Sequence, residues 1–448
     1  MSDPRALATR LNRHAPRRAR VRLESERAFG RALTLRTWRL GNGLRIHVVP
    51  DSSAPVVAYQ TWFRVGSRHE RAGKTGLAHF FEHLMFKGTA AYPQGQLDRL
   101  LEGVGAETNA ETWTDWTRYY ETLPAAQLPL AITLESDRMQ GLVLDTEQLE
   151  SEREVVMSER RDRVEDDVEG KASEVLFERA FQTHGYGWPT IGWMRDIEGY
   201  TLADCHEFYR TFYAPNNATL VVVGDLDEAT LLGLIQEGYG SIASSRASRS
   251  PQAGAERTQG RARRKQVKLP TVTEKLSIGL HAPRLGDPRW VALSVLNDLL
   301  FGGRSSRLVK ELVLDDEIAT TCWGFVTPFA DPGLYEVWVS LREGRRAEDA
   351  EKRVWAAFER IQRDGVPEEE LAKSRHQLEL GMISAMETAG GKAEQIGFDD
   401  TVVGDPVASF TRLERYRTIT EDEVRAVADE ILRKKSSTTV LVRRGGER

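Results

Sequence analysis

The sequence predicts an α+β protein of two domains of roughly equal size, and three observations predict it. At 448 residues the chain is too long for one hydrophobic core, since cores stop growing beyond about 250–300 residues. A stretch at 243–266, rich in Ser, Arg, Ala, Gly and Gln, carries Pro251 and no apolar period; this is linker composition, and it falls near the middle of the chain. A helix-then-strand pattern recurs on either side of it. Thr201 to Val223 matches Thr420 to Val442 without a gap, the strands being Leu220-Val221-Val222-Val223 and Thr439-Val440-Leu441-Val442.

Residues 1–36 hold ten arginines, no lysine, and only Asp3, Glu24 and Glu26 to oppose them. Arg-rich, acid-poor N-termini can be transit peptides, but serines are few and Pro16 interrupts the most basic run, so the segment reads as a basic N-terminal extension. No apolar h-region is present, which points to the cytoplasm. The first domain then covers 37–242. Thr37 to Val49 reads as a hairpin turning on Gly41-Asn42-Gly43, and Val56 to Val65 as the next strand. Thr75 to Thr89 has helical apolar spacing and stops at Gly88. Gly105 to Tyr120 alternates short polar and aromatic residues, as a half-exposed strand does. Pro124 to Gln140 and Thr146 to about Asp166 read as helices, and Thr201 to Phe212 as a helix closing on the buried strand Leu220 to Gly224. The linker 243–266 follows. In the second domain, 267–448, Val267 to His281 reads as a strand and Arg289 to Phe301 as a helix, in the same order as the first half.

Composition removes several functional classes. A net charge of −5 gives no reason to expect a nucleic-acid partner. No apolar run approaches the roughly 18 residues of a membrane span. Cys205 and Cys322 are the only cysteines, too few for a disulfide framework or a Cys-rich metal site, so a bound metal must rest on His and carboxylates.

One run carries chemistry: His79-Phe80-Phe81-Glu82-His83. Residues four apart share a helix face, so both imidazoles can reach one ion, while Glu82 on the adjoining edge can face a metal-bound water. This is H-x-x-E-H, the inverse of the commoner H-E-x-x-H order. Catalytic zinc takes three protein ligands and an open position. A third ligand would come from the acidic helix bearing Glu147, Glu150, Glu152, Glu154 and Glu159, and the residues alone do not choose among these. His14, His47, His69, His184, His206, His281 and His376 have no ligand spacing, and the second half contains no H-x-x-E-H.

With its flanks, Gly76-Leu77-Ala78-His79-Phe80-Phe81-Glu82-His83-Leu84-Met85-Phe86-Lys87-Gly88-Thr89 resembles the signature of the pitrilysin family of zinc peptidases, and the resemblance runs from about Thr37 through nearly the whole chain. It implies two homologous α+β domains, each an antiparallel-rich sheet packed with helices, enclosing a clamshell chamber in a dimer. It implies a zinc endopeptidase acting on extended or unfolded peptides, with Glu82 as general base. The family's third ligand lies about 76 positions past the second His, which is Glu159 here. Glu152, two helical turns earlier, would orient a ligand or help position the water. Asn109 and the Ala110 backbone would contact substrate on an edge strand to which the peptide adds.

The resemblance also exposes a gap. Small members of the family carry an Arg and a Tyr seven positions apart after a Gly-Gly-x-Ser-Ser-Arg-Leu run. Here Gly302-Gly303-Arg304-Ser305-Ser306-Arg307-Leu308 is present, but the matching positions are Val313 and Thr320. Neither can bind a carbonyl or oxyanion as an Arg–Tyr pair would. The expectation is a heterodimer in which a homologous subunit without zinc ligands supplies the pair, the alternative being a homodimer relying on zinc alone. A reading from another class is a non-catalytic scaffold or peptide-binding subunit. Such relatives usually lose motif residues, and His79, Glu82, His83 and Glu159 are all present.

Overall fold

The computed structural model describes residues 3–247 and 254–445, so the middle of the expected linker lies outside the described residues. The chain divides into two units, each a β-sheet with helices against it. Unit 1 comprises Met1–Met157, Thr190–Gln252 and Ala385–Ser409; unit 2 comprises Ser158–Pro189, Ala253–Ser384 and Phe410–Arg448.

Unit 1 is built on seven strands: β1 (Val21–Phe29), β2 (Leu33–Leu40), β3 (Arg45–Pro50), β4 (Val56–Phe63), β5 (Glu107–Thr112), β6 (Thr117–Pro124) and β7 (Ala218–Gly224). Their order is β1-β2-β3-β7-β4-β6-β5. Every residue of β7 is buried, as its continuous apolar run requires of a central strand. Unit 2 has five: β8 (Arg263–Leu269), β9 (Lys275–Ala282), β10 (Ala319–Val326), β11 (Gly333–Leu341) and β12 (Ser437–Arg444), in the order β10-β11-β9-β12-β8. The second sheet repeats five strands of the first, β8 standing for β3 and β10 for β5. In each, the last strand of the chain pairs parallel with the first of the five, β7 with β3 and β12 with β8, and antiparallel with the second, β4 or β9.

The gapless sequence repeat is equally visible. Helices Leu202–Phe212 and Glu421–Ile431 each open on a capping box: the Thr201 hydroxyl accepts from the Asp204 N–H at 3.2 Å and the Thr420 hydroxyl from the Glu423 N–H at 3.3 Å, while each carboxylate reaches back to the N–H of its cap. One 3₁₀ turn follows each helix, Pro215–Asn217 or Lys434–Ser436, and leads directly into β7 or β12.

Four readings of the chain differ from the structure. Residues 1–36 are not a plain extension: Pro4–Leu11 is helical, and β1 pairs antiparallel with β2. Asn12 closes the loop between them, its amide donating to the Val21 carbonyl and accepting the Val21 N–H, both at 2.8 Å. The stretch Gly105 to Tyr120 is not one strand but the two-stranded pair β5 and β6, turned where the Trp113 N–H meets the Trp116 carbonyl at 2.9 Å. Val267 to His281 likewise splits, and β8 begins at Arg263, inside the expected linker. Finally, helix Ala389–Val402, far into the second half of the chain, belongs to unit 1 and packs on β4 and β7. It lies close because Gly397 has no side chain: a Cβ there would meet the Trp62 indole nitrogen at 2.1 Å. Its Asp400, almost fully buried, pairs with Arg45 at 2.5 Å and lies 3.5 Å from the His47 ring. Among the described residues no helix is long and apolar enough to cross a membrane.

Candidate active site

Helix Leu77–Leu84 carries the H-x-x-E-H run, and its start is held with unusual firmness. The first N–H groups of a helix lack partners within it. Here the Glu70 carboxylate accepts from the Gly76 N–H at 2.6 Å and the Ala78 N–H at 2.7 Å, and Asp196 accepts from the Thr75 N–H at 3.2 Å and hydroxyl at 2.6 Å. Both carboxylates are buried. Burial pushes the Glu70 carboxyl well above its ordinary range, against the two backbone hydrogen bonds that favour its ionised form. Gly76 is required twice over: its φ is +91°, and a Cβ would meet the Ile191 carbonyl oxygen at 2.4 Å. Phe80 and Phe81 are fully buried, Phe81 stacking on Phe208 with centroids 5.1 Å apart. That anchorage sets the rotation of the helix and brings the His79 and His83 rings to 4.8 Å.

The second helix, Thr146–Arg160, buries Leu149, Val156 and Met157. Glu159, on its last turn, stands two turns from Glu152 on the same face. His79, His83 and Glu159 each offer a ligand atom, and the three atoms lie within 4.8 Å of one another. Two imidazole nitrogens and a carboxylate oxygen are a donor set that suits zinc with one position left for solvent. Glu147, Glu150 and Glu154 do not join the cluster.

Glu152 lies against His83 instead. Its Oε1 accepts from His83 Nδ1 at 2.8 Å and its Oε2 pairs with the Lys87 ammonium. Burial opposes its ionisation, but the hydrogen bonds from His83 and Lys87 prevail and hold the carboxyl below its usual range. With Nδ1–H so engaged, the His83 tautomer is the one that carries on Nε2 the lone pair a metal would take. Lys87 was not foreseen from the sequence, although a lysine four residues after His83, facing an acidic helix, was the available signal.

Asn109 and Ala110 lie on β5, which is an edge of the seven-stranded sheet, and helix Leu77–Leu84 packs against that strand. The Asn109 side chain is exposed, and its Oδ1 accepts the Ala110 N–H at 2.8 Å. A cavity joins the two elements: Glu82, His83, Phe86, Gln94, Asp98 and Asn109 share its wall with Lys87 and Glu152. In unit 2, Val313 is packed against the hydrophobic core, and the Thr320 hydroxyl on β10 donates to the Ser340 carbonyl at 3.1 Å.

The fold and the site define a class: two-sheet α+β proteins with an inverted zinc-peptidase motif on a helix beside a sheet edge. Residues 45–192 match the family model described as insulinase (peptidase family M16), and residues 199–378 the model described as peptidase M16 inactive domain. The chain belongs to peptidase family M16. It is 30% identical over 419 residues to an uncharacterized zinc protease of Mycobacterium tuberculosis, covering 93% of this chain and 95% of that one. It is 24% identical over 417 residues to the mitochondrial-processing peptidase subunit beta of Lentinula edodes, covering 88% and 86%. The crystal structure of a protease from Helicobacter pylori superposes with a TM-score of 0.87 at 29% identity, over 91% of this chain and 98% of that one.

Proposed function

We propose that this chain is a zinc endopeptidase that cleaves extended or unfolded peptides. The observation that carries the reading is the convergence of His79, His83 and Glu159 within 4.8 Å, with Glu82 between the two histidines in sequence and on the wall of an adjoining cavity. His79, His83 and Glu159 would hold the zinc, which when bound acidifies water and polarises the substrate carbonyl. Glu82 takes a proton from the attacking water and returns it to the amide nitrogen as the C–N bond breaks. No covalent intermediate is formed, so no serine or cysteine nucleophile is needed. Glu152, itself steadied by Lys87, keeps His83 in one tautomer and orientation. The substrate adds as a strand to β5, its carbonyl displacing the Asn109 side chain from the Ala110 N–H.

The chain is, in this reading, the zinc-bearing subunit of a heterodimer. Val313, a half-buried apolar residue packed against the core, and Thr320, whose hydroxyl is spent on its own sheet, give no substitute for the Arg–Tyr pair. Loss of one oxyanion donor costs roughly 10²–10³ in rate, so loss of both leaves a homomeric enzyme nearly inert. The relative named as a beta subunit supports a division of labour between homologous chains.

The test has two parts. Metal analysis should find about one zinc per chain, lost in His79→Ala and Glu159→Ala. Glu82→Gln should keep zinc and fold while losing about 10²–10⁴ in peptide cleavage. A Glu82→Gln protein as active as the parent sinks the enzyme reading and leaves the peptide-binding alternative. The chain should also be assayed alone and with its nearest homologue from the same genome; full activity alone, with no gain on mixing, sinks the heterodimer.

A further inference from the structure

We propose that the outer edge of β8, in unit 2, is a docking site for an acidic, extended segment of a partner protein, which adds to the second sheet as a strand antiparallel to β8. This goes beyond the peptidase reading and does not depend on it, since β8 shares no residue with the zinc site.

The two sheets supply the comparison. β3, the counterpart of β8, is covered on the side away from β7 by β2, which pairs antiparallel with it, Trp38 opposite Ile46 and Thr37 opposite His47. β8 pairs with β12 and ends the sheet. Among the described residues no strand covers its other side, so the outward N–H and C=O groups of Arg263–Leu269 form an open row. The strand is held from both faces. Val267 and Leu269 pack on the apolar cluster that includes Ala172 and Leu176 of helix Val168–Ala180, and Arg264 reaches Glu351 of helix Ala347–Asp364 through two hydrogen bonds of 2.8 Å. An incoming strand meets an edge already in place.

Charge decides which strand fits. Lys265 and Lys268 are exposed and, three apart, stand on opposite faces of β8. Exposed Arg179 and Arg261 line a cleft of about 660 Å³ at the start of the strand, and exposed Arg345 and Arg444 line one of about 630 Å³ towards its end. Among the described residues none of these six cations has an ion pair, while the only unpaired carboxylates in the two clefts are Glu178 and Glu343. Lysine on an exposed edge guards against pairing with a second copy, whose own basic residues would lie opposite. That accounts for Lys265 and Lys268, but not for arginine-lined clefts at both ends of the strand. The charges that repel a copy attract a strand carrying Glu or Asp three residues apart, one for each face. A polyphosphate would match the charge, but its oxygens only accept hydrogen bonds and leave the β8 carbonyls unserved; a peptide main chain supplies donors and acceptors together.

The test uses the full chain carrying Glu82→Gln, so that probes stay intact, and a fluorescein-labelled seven-residue Thr/Val peptide with Glu at its second and fifth positions. On binding, hydrogen exchange should slow at residues 263–269 and stay unchanged at the other sheet edges, β1, β5 and β10. By anisotropy the Glu peptide should bind about tenfold tighter than the same peptide with Lys in place of Glu, and should weaken as salt rises. N-methylation of alternate residues keeps the charge and removes main-chain donors, and should lower affinity by a similar factor. Lys265→Glu combined with Lys268→Glu should reverse the order of the Glu and Lys peptides, with an unchanged urea midpoint showing the fold intact. No measurable binding, equal binding of the Glu and Lys peptides, an order that survives the charge reversal, or protection at β5 in place of β8 would each overturn the proposal. An N-methylated peptide or tripolyphosphate that binds as tightly as the Glu peptide would make the edge a plain anion surface, which overturns it as well.

Discussion

Replacing Glu152 by Gln tests whether the site is held by its supporting residues as well as by its ligands. The substitution keeps shape and volume but removes a charge that serves two partners, His83 at 2.8 Å and the Lys87 ammonium. A hydrogen bond involving a charged group contributes about 1.5–3 kcal/mol, and each 1.4 kcal/mol is a factor of ten. The Gln amide can also rotate to present its NH₂ group to Nδ1, which favours the tautomer that withdraws Nε2 from the metal. Zinc affinity should therefore fall about ten- to hundredfold, the range found when such supporting groups are lost. Competition against a fluorescent chelator measures it, and urea unfolding of the metal-free forms separates a weakened site from a weakened fold. Unchanged zinc affinity in a folded Glu152→Gln protein would refute the reasoning, because it would mean that His83 is oriented without its neighbour.

Three further outcomes follow from packing and charge. Gly397→Ala should lower unfolding free energy by about 1–3 kcal/mol in urea, because the new methyl group lands on the buried Trp62 indole. Asp400 should make part of the acid limb of stability. Burial opposes its ionisation, but the hydrogen bond and charge of His47, with Arg64 and Arg45, hold its carboxyl far below the ordinary range. Its contribution is thus complete above about pH 4, the unfolded value, and is lost as pH falls further. Urea midpoints measured between pH 5 and 3 should fall less steeply in Asp400→Asn than in the parent. Glu70→Ala should destabilise the metal-free protein by about 2 kcal/mol or more, since the buried Gly76 and Ala78 N–H groups lose their acceptor. A neutral result by urea unfolding would place solvent at that helix start.

How far the sequence could be read depended on whether the signal was local. The H-x-x-E-H helix, the matched helix-then-strand stretches from Thr201 and Thr420 and the buried β7 run are local patterns, and each stands where its pattern put it. Choosing Glu159 among the glutamates of its helix needed the family resemblance; the structure adds only that its carboxylate, unlike those of Glu147, Glu150 and Glu154, comes within reach of both imidazoles. The misread strands were hidden by charge and by missing punctuation. The β5–β6 turn runs through Trp113-Thr114-Asp115-Trp116 with neither Gly nor Pro, and β8 is an edge strand whose Arg263, Arg264, Lys265 and Lys268 look like linker. Arginines concealed β1 in the same way. The placement of helix Ala389–Val402 on the first sheet was out of reach, because no residue within it signals which of two similar sheets it covers.

That placement has a consequence for synthesis. The face of β4 and β7 that receives this helix includes Trp62, and the carboxylate for Arg45 and Arg64 is Asp400. Unit 1 therefore stays unfinished until the ribosome has passed residue 409, roughly 160 residues after its preceding segment ends. At 5–20 residues per second that is a wait on the order of ten to thirty seconds, with Trp62 uncovered and Arg45 and Arg64 without the Asp400 carboxylate. Nascent chains of this protein are a natural client for a ribosome-associated chaperone during that interval, and a gene cut at the linker would deliver a first half that never leaves it.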